Sequence, residues 1–428
     1  MNVAVARSPA PGRPPREPSV EAAAGRGFLA RGRLLGLIGP AFVAAIAFVD
    51  PGNIAINVSA GADFRYLLLW AVITASLMAM VVQYLSAKLG LATGGSLADV
   101  CREHTTTPVR IGLWLVAELV VVMTDLAEFV GGAIALNLLF GLPLLAGGLI
   151  VAAVTMLILR LRIRGRDGFP AVVVALLTLL FFGFVYLILR SPFDPVAALR
   201  GVEPRLGDSQ SALLACGIVG ATVMPHALFL HSSLTGDLSQ IGGVRGLHSA
   251  RILRFLRRDV IVALGLAGVV NVLMLLIATS LPVGSGDSLS TVHAAFVERE
   301  GTFFGLVFAL SLLVSGLASA SAGIYSGQAV MAGFLRRNSS VWVRRVVSAL
   351  PSLLILAVVG NPTQALVLSQ VVLSFGLPFA LFPLVIFTSR RSIMGRFRNR
   401  PATTAAAAAI TFVVVALNCF LVGRLFLA

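Results

Sequence analysis

The feature that most constrains this chain is a close succession of apolar stretches, each long enough to cross the hydrocarbon of a bilayer. They run near 34–60, 65–89, 109–137, 141–160, 169–190, 210–234, 259–282, 302–335, 343–359, 364–389 and 402–427. A helix needs about 20 apolar residues to span the lipid tails, so this spacing predicts eleven crossings. Apolar residues make up 58% of the 428 and charged residues only 12%, with a mean hydropathy of +0.96. A single soluble core cannot hide that much apolar surface, and lipid must act as solvent. The expected fold class is an all-α integral membrane protein.

The formal net charge of +15 would by itself fit a nucleic-acid surface, but its placement argues for topology instead. With the N-terminus cytoplasmic, 27 of the 33 basic residues fall on inward segments. The outward side holds only Arg65, Arg190, Arg200, Arg205, Arg299 and Arg424. Such a bias under one alternation is the positive-inside pattern, and an odd number of spans sets the C-terminus outside. The expectation is a multi-pass protein of the cell membrane, bathed in lipid, with no nucleic-acid partner. Residues 1–33, rich in Pro, Gly, Ala and Arg, read as a disordered cytoplasmic tail without a signal-peptide core. The remaining divisions are a five-helix repeat over 34–190, an extracellular loop at 191–209, a second repeat over 210–390, and an eleventh helix at 401–428. Cys101, Cys216 and Cys419 lie far apart with no metal-ligand spacing, so no disulfide framework is expected.

Two spans carry interruptions. In the first, Asp50 sits mid-span and is followed by Pro51, Gly52 and Asn53. Proline lacks the N–H a helix needs and glycine favours non-helical dihedrals, so the helix should break here. A carboxylate at that depth costs about 2.5–3.5 kcal/mol and is a functional site by default. Freed carbonyls beside Asp50 and Asn53 make an oxygen-rich cation site. In the sixth span Pro225 stands between Met224 and His226 and removes the hydrogen bond owed to the carbonyl of Ala221. Breaks in the first and sixth of a regular series predict two inverted five-helix repeats sharing one site near the midplane. A methionine in a membrane helix is usually filler. Here its thioether abuts the break that faces Asp50, and a soft ligand beside hard oxygens favours borderline first-row metals over Ca²⁺ or Mg²⁺.

The third span holds Glu118, Asp125 and Glu128 on one face, at separations of seven and three. Acids in a stripe through lipid mark a proton relay, with structural ion pairing as the plainer alternative. Arg344 and Arg345, at the start of the ninth span, are placed to act as counter-ions and as the route to the cytoplasm.

With these residues in view, the chain from about Gly39 onward resembles the Nramp family of proton-coupled manganese and iron transporters. DPGN at 50–53 and ATVMPH at 221–226 carry the resemblance. LSAKLGLATGGSLADVCRE (85–103), TDLAEFVGGAIALNLLFG (124–141) and LVLSQVVLSFGLPFAL (366–381) support it. The resemblance implies an eleven-helix, 5+5 inverted-repeat fold of the LeuT type. It implies that Asp50, Asn53, Met224 and the Ala221 carbonyl coordinate the ion, with Gln370 approaching when the site is occluded. It assigns Asp125, Glu128 and His226 to proton movement, with a fixed hydrogen-bonding partner that steadies the broken sixth helix as the lesser alternative for His226. Departures from the family pattern are Ala227 after the MPH motif, Leu317, Ala320 and Ala322 in the eighth span, and Ala332 in place of a frequent acid. No enzyme motif such as HExxH is present, and the expectation is a transporter without a bound cofactor or obligate protein partner. A magnesium-preferring relative would lack the thioether, and an amino-acid symporter of the same fold would not set Asp50 against Met224.

Overall fold

A computed structural model describes residues 39–163, 169–240, 249–337, 340–358 and 360–427. The N-terminal segment 1–38, expected as a tail, lies outside them. Helices dominate. The first span is α1 (Pro40–Ala45) continued by a 3-10 turn (Ile46–Val49), then α2 (Pro51–Phe64). There follow α3 (Leu69–Thr93), a short α4 (Leu97–His104), α5 (Thr107–Phe140), α6 (Leu144–Ile163), α7 (Phe169–Arg190) and a loop helix α8 (Pro195–Arg200). The second half runs α9 (Ser209–Val223), α10 (Pro225–Gln240), α11 (Ser249–Ala278), α12 (Leu289–Glu300), α13 (Thr302–Leu335), α14 (Val341–Val358), α15 (Pro362–Ser389), α16 (Arg391–Met394) and α17 (Pro401–Leu427).

Seven helical segments are individually long and apolar enough to cross a membrane, Ser209–Leu238 among them, and the pair Pro40–Val49 and Pro51–Phe64 makes an eighth span bent by 48°. Three further apolar helices, Leu144–Leu157, Ala175–Arg190 and Ser348–Val358, are shorter within the described residues. Each of the eleven expected stretches is thus a helix. The largest difference in bounds is at α11, which starts ten residues before the expected 259. Its first turns are basic, so hydropathy excludes them, yet the helix continues beyond the lipid. Short helices also occupy two of the connections between the expected spans, Leu97–His104 and Leu289–Glu300.

The molecule is polar in places inside and apolar outside. Phe412, Phe182 and Leu350 are 73%, 62% and 59% exposed, whereas Asp50, Asn53, Glu128 and Gln370 have no exposure. That inversion is the expected economy of a protein dissolved in lipid. The connections sort to two ends. At one end Asp63 Oδ1 accepts from Gly286 N (3.0 Å), Trp70 Nε1 donates to Arg205 O (3.0 Å), and Asn361 Nδ2 donates to Asp287 O (2.9 Å). At the other, Lys88 Nζ donates to Asn399 Oδ1, Arg102 donates to Gly333 O, and Leu97 N donates to Ser232 Oγ (2.9 Å). Residues beside the connections after spans 1, 5, 7 and 9 meet at one end and residues beside those after spans 2, 6, 8 and 10 at the other, as an alternating path requires.

Candidate metal-ion site

Both interruptions are built by their own residues. Asp50 adopts an extended backbone (φ −76°, ψ 167°) as cap of α2, and its Oδ1 accepts from Asn53 N at 2.8 Å. A capping carboxylate satisfies an amide that the new helix start would leave orphaned. At the other break, Met224 closes α9 with φ 38° and ψ 99°, a region unfavourable to any residue with a Cβ. Strain of this kind, about 1–3 kcal/mol, persists only where the surroundings impose it.

One hydrogen bond joins the two breaks. Asn53 Nδ2 donates to Asp50 Oδ1 (2.7 Å) and to the carbonyl of Ala221 (2.9 Å). Both partners are pure acceptors, which sets the amide orientation and turns Asn53 Oδ1 away from them. The Ala221 oxygen, expected to be free, therefore has one lone pair engaged by Asn53 and one remaining. Gln370 reaches the same place from α15: a Cβ on Gly52 would overlap its side-chain amide. Gln370 Nε2 donates to Ser369 Oγ (2.9 Å), whose own proton goes to Leu366 O (2.6 Å). Its Oε1 is accordingly the free end.

His226, just past the second break, has Nδ1 3.1 Å from Thr124 Oγ1. The Thr124 hydroxyl donates to Val120 O (3.0 Å), so Nδ1 carries the imidazole proton and Nε2 presents a lone pair. Asp50 Oδ2, Asn53 Oδ1, Gln370 Oε1 and His226 Nε2 are buried with no hydrogen-bond partner. All four are acceptors. Asp50, Asn53, Ala221, Met224, His226 and Gln370 are each fully buried.

The acids of α5 divide. Asp125 and Glu128 are 3% and 0% exposed and both face α13. A Cβ on Gly323 would lie 2.9 Å from Glu128 Oε1 and 3.1 Å from Asp125 Oδ1. Thr124, bonded to His226, is the neighbour of Asp125, so the acidic stripe begins beside the second break. Glu118 is only half-buried and accepts from Trp114 Nε1 (3.2 Å), nearer the end of the helix. The side chains of Arg344 and Arg345 lie outside the described residues.

Several structural residues were not singled out from sequence. Ser315 Oγ donates to the freed carbonyl of Val49 (2.5 Å), and Asn271 Nδ2 to that of Phe48 (3.1 Å). Asp259 accepts from Gly39 N and Ala41 N, both at 2.9 Å, and so caps α1 from α11. An amide at Asn271 amid apolar residues was a visible signal. Asp259 was masked by the basic run before it.

Comparison with known proteins follows the same lines. The family described as natural resistance-associated macrophage protein-like, Nramp, matches residues 41–424. The chain is similar to the divalent metal cation transporter MntH of Mycobacterium leprae, 46% identical over 389 residues, covering 90% of this chain and 91% of that protein. A crystal structure of the Eremococcus coleocola manganese transporter superposes with a TM-score of 0.78 at 29% identity, over 93% of this chain and 85% of that one. Mhp1, a nucleobase–cation symport family transporter, shares the fold alone, with a TM-score of 0.59 at 16% identity over 91% of this chain and 92% of that one. The architecture is therefore the LeuT-like one of broken first and sixth helices, and the chain belongs to the Nramp family of membrane transporters, not to an enzyme family.

Proposed function

We propose that this protein moves divalent transition metal ions, Mn²⁺ and Fe²⁺, across the cell membrane together with protons, by alternating access. The observation that carries the reading is the set of three buried acceptors, Asp50 Oδ2, Asn53 Oδ1 and Gln370 Oε1, where the first break meets the Ala221 carbonyl and the Gln370 amide. An unpaired buried acceptor costs about 1–3 kcal/mol, and a group of acceptors without a donor has the polarity of a cation site. Among the described residues no three His, Cys, Asp or Glu side chains gather. In this reading the ion is held by one carboxylate (Asp50), the amide oxygens of Asn53 and Gln370, the second lone pair of the Ala221 carbonyl, and the Met224 thioether. The sulfur supports a preference for first-row transition metals over Ca²⁺ and Mg²⁺.

Protons follow α5. His226, Asp125 and Glu128 form the relay, with Glu118 further along it and Arg344 and Arg345 as counter-ions. The Thr124 hydroxyl ties the imidazole to the acidic stripe. The N-terminus faces the cytoplasm, as the distribution of basic residues supports, and the ion enters from outside. Closure of the outer half and opening of the inner half about the breaks deliver it inward. Broken helices suit that motion because their halves are joined by a few residues rather than by a continuous ladder of hydrogen bonds.

The test is Mn²⁺ uptake into proteoliposomes with and without an acidic exterior, recorded with internal pH. Wild-type protein is expected to take up Mn²⁺ faster under the gradient and to acidify the interior. Asp125→Asn is expected to abolish acidification. Acidification equal to wild type in that variant would remove the relay, and absence of Mn²⁺ uptake by wild-type protein would remove the transport reading.

A further inference from the structure

Beyond Glu300 the chain carries no aspartate or glutamate, while ten arginines follow. Five of them, Arg390, Arg391, Arg396, Arg398 and Arg400, fall in the short connection between α15 and α17, and all five are exposed. None of the five has an ion-pair partner among the described residues, and the acids Asp99 and Glu103 of the same end of the molecule are taken by Arg102.

The connection is short and built. It contains α16 and a 3-10 turn (Gly395–Phe397). Asn399 closes it at the base, its N donating to Thr388 O (3.0 Å) and its Nδ2 to Thr388 Oγ1 (2.8 Å), while Lys88 Nζ donates to its Oδ1. Met394 is 2% exposed, and Ile393 and Phe397 pack half-buried against the core. The apolar side chains are turned into the protein and the guanidinium groups outward, with Arg396 stacked 5.2 Å over the Phe397 ring.

Depth follows from connectivity. Both flanking helices cross the membrane, and each arginine is within five residues of a span end. The polar layer of a bilayer is only about 5–8 Å thick on each side, so a loop tied back on its own helix holds its guanidinium groups among the lipid phosphates. Guanidinium is the side chain that pairs phosphate in a planar, two-pronged fashion.

We propose that the 390–400 segment is a binding surface for anionic phospholipid headgroups of the leaflet it faces. The recognised chemistry is a phosphate monoanion, and its source is the bilayer because the groups lie at headgroup depth. Five uncompensated charges on a segment held by Asn399 and Lys88 pay little ordering cost on binding. Each contributes about fivefold to retention of anionic over neutral lipid. The surface lies outside the ion pathway and does not depend on which ion is carried.

The test uses the full-length protein in nanodiscs of phosphatidylglycerol or of phosphatidylcholine. Backbone hydrogen exchange in 390–400 is expected to be slower in phosphatidylglycerol, and native mass spectrometry from an equimolar mixture is expected to show retained phosphatidylglycerol. Changing all five arginines (R390Q, R391Q, R396Q, R398Q, R400Q) should reduce that preference by about a hundredfold or more, whereas the five arginine-to-lysine changes should keep the part that comes from charge and lose the part that comes from two-pronged pairing. Equal exchange of wild-type protein in the two lipids would overturn the proposal even if the glutamine variant fails to fold. Protection of the segment by millimolar inorganic phosphate in phosphatidylcholine, equal to that by phosphatidylglycerol, would overturn the lipid as its source.

Discussion

Met224 occupies a left-handed backbone position, with φ 38°, at the point where α9 gives way to α10. A glycine would hold that turn at lower cost, so the side chain rather than the backbone accounts for the residue. Met224→Ala keeps every oxygen ligand and removes only the soft one. Mn²⁺ uptake should persist within a few-fold while Ca²⁺ or Mg²⁺ becomes a competent competitor, as read by competition in proteoliposomes. Undiminished discrimination against those ions would remove sulfur as the selecting ligand. Gly52 makes the converse point, because its lack of a side chain is what admits Gln370. Gly52→Ala should cost about tenfold or more in uptake, roughly 1.4 kcal/mol. Adding Gln370→Ala to it should cause little further loss, since the two changes act through one contact. Full additivity in that cycle would show that they act separately.

At the scale of helices, proline does not by itself decide where a membrane helix breaks. Pro351, Pro378 and Pro383 sit inside continuous helices. Pro51 and Pro225 follow breaks because something receives the freed backbone. Asp50 caps α2, while Ser315 and Asn271 take the carbonyls of Val49 and Phe48. The start of α1 is held in the same manner by the carboxylate of Asp259, which accepts from two backbone amides. Asp259→Ala leaves both orphaned in a buried place, and thermal stability in detergent should fall by about 1–3 kcal/mol. Asp259→Asn, with one acceptor oxygen, should fall between the two. An unchanged melting temperature for Asp259→Ala would show that the cap bears no load. The acidic stripe on α5 was legible at this scale through helical spacing alone. That Asp125 and Glu128 share a partner face on α13 while Glu118 pairs with Trp114 was not, since sequence spacing gives a stripe but not its neighbour.

Across the whole molecule, apolar helices with polar groups turned inward serve a transporter whose carried charge, under the proposed function, must respond to voltage. Inward movement of a divalent ion with protons under the proposed function brings net positive charge across the bilayer. Each charge gains about 2.3 kcal/mol per 100 mV. An interior-negative potassium diffusion potential should therefore raise the initial rate of Mn²⁺ uptake at fixed pH, and reversal of its sign should suppress it. Uptake indifferent to the potential would mean charge-compensated exchange instead.

Sequence by itself determined the solvent of this protein, the approximate limits of its long apolar helices, the location of both breaks, and the types of atom set at them. Those follow from composition, hydropathy period and local backbone chemistry, which act over one to twenty residues and are written in order along the chain. Tertiary structure alone decided that Asn53 bridges to Ala221 across 168 positions, that Gln370 arrives against Gly52, and that Asp259 caps a helix 218 to 220 residues away. Such pairings depend on how helices pack and on which carbonyls and amides are left without partners at a break. A donor or acceptor inside lipid must find a mate somewhere in the fold, but nothing in its own neighbourhood names which one.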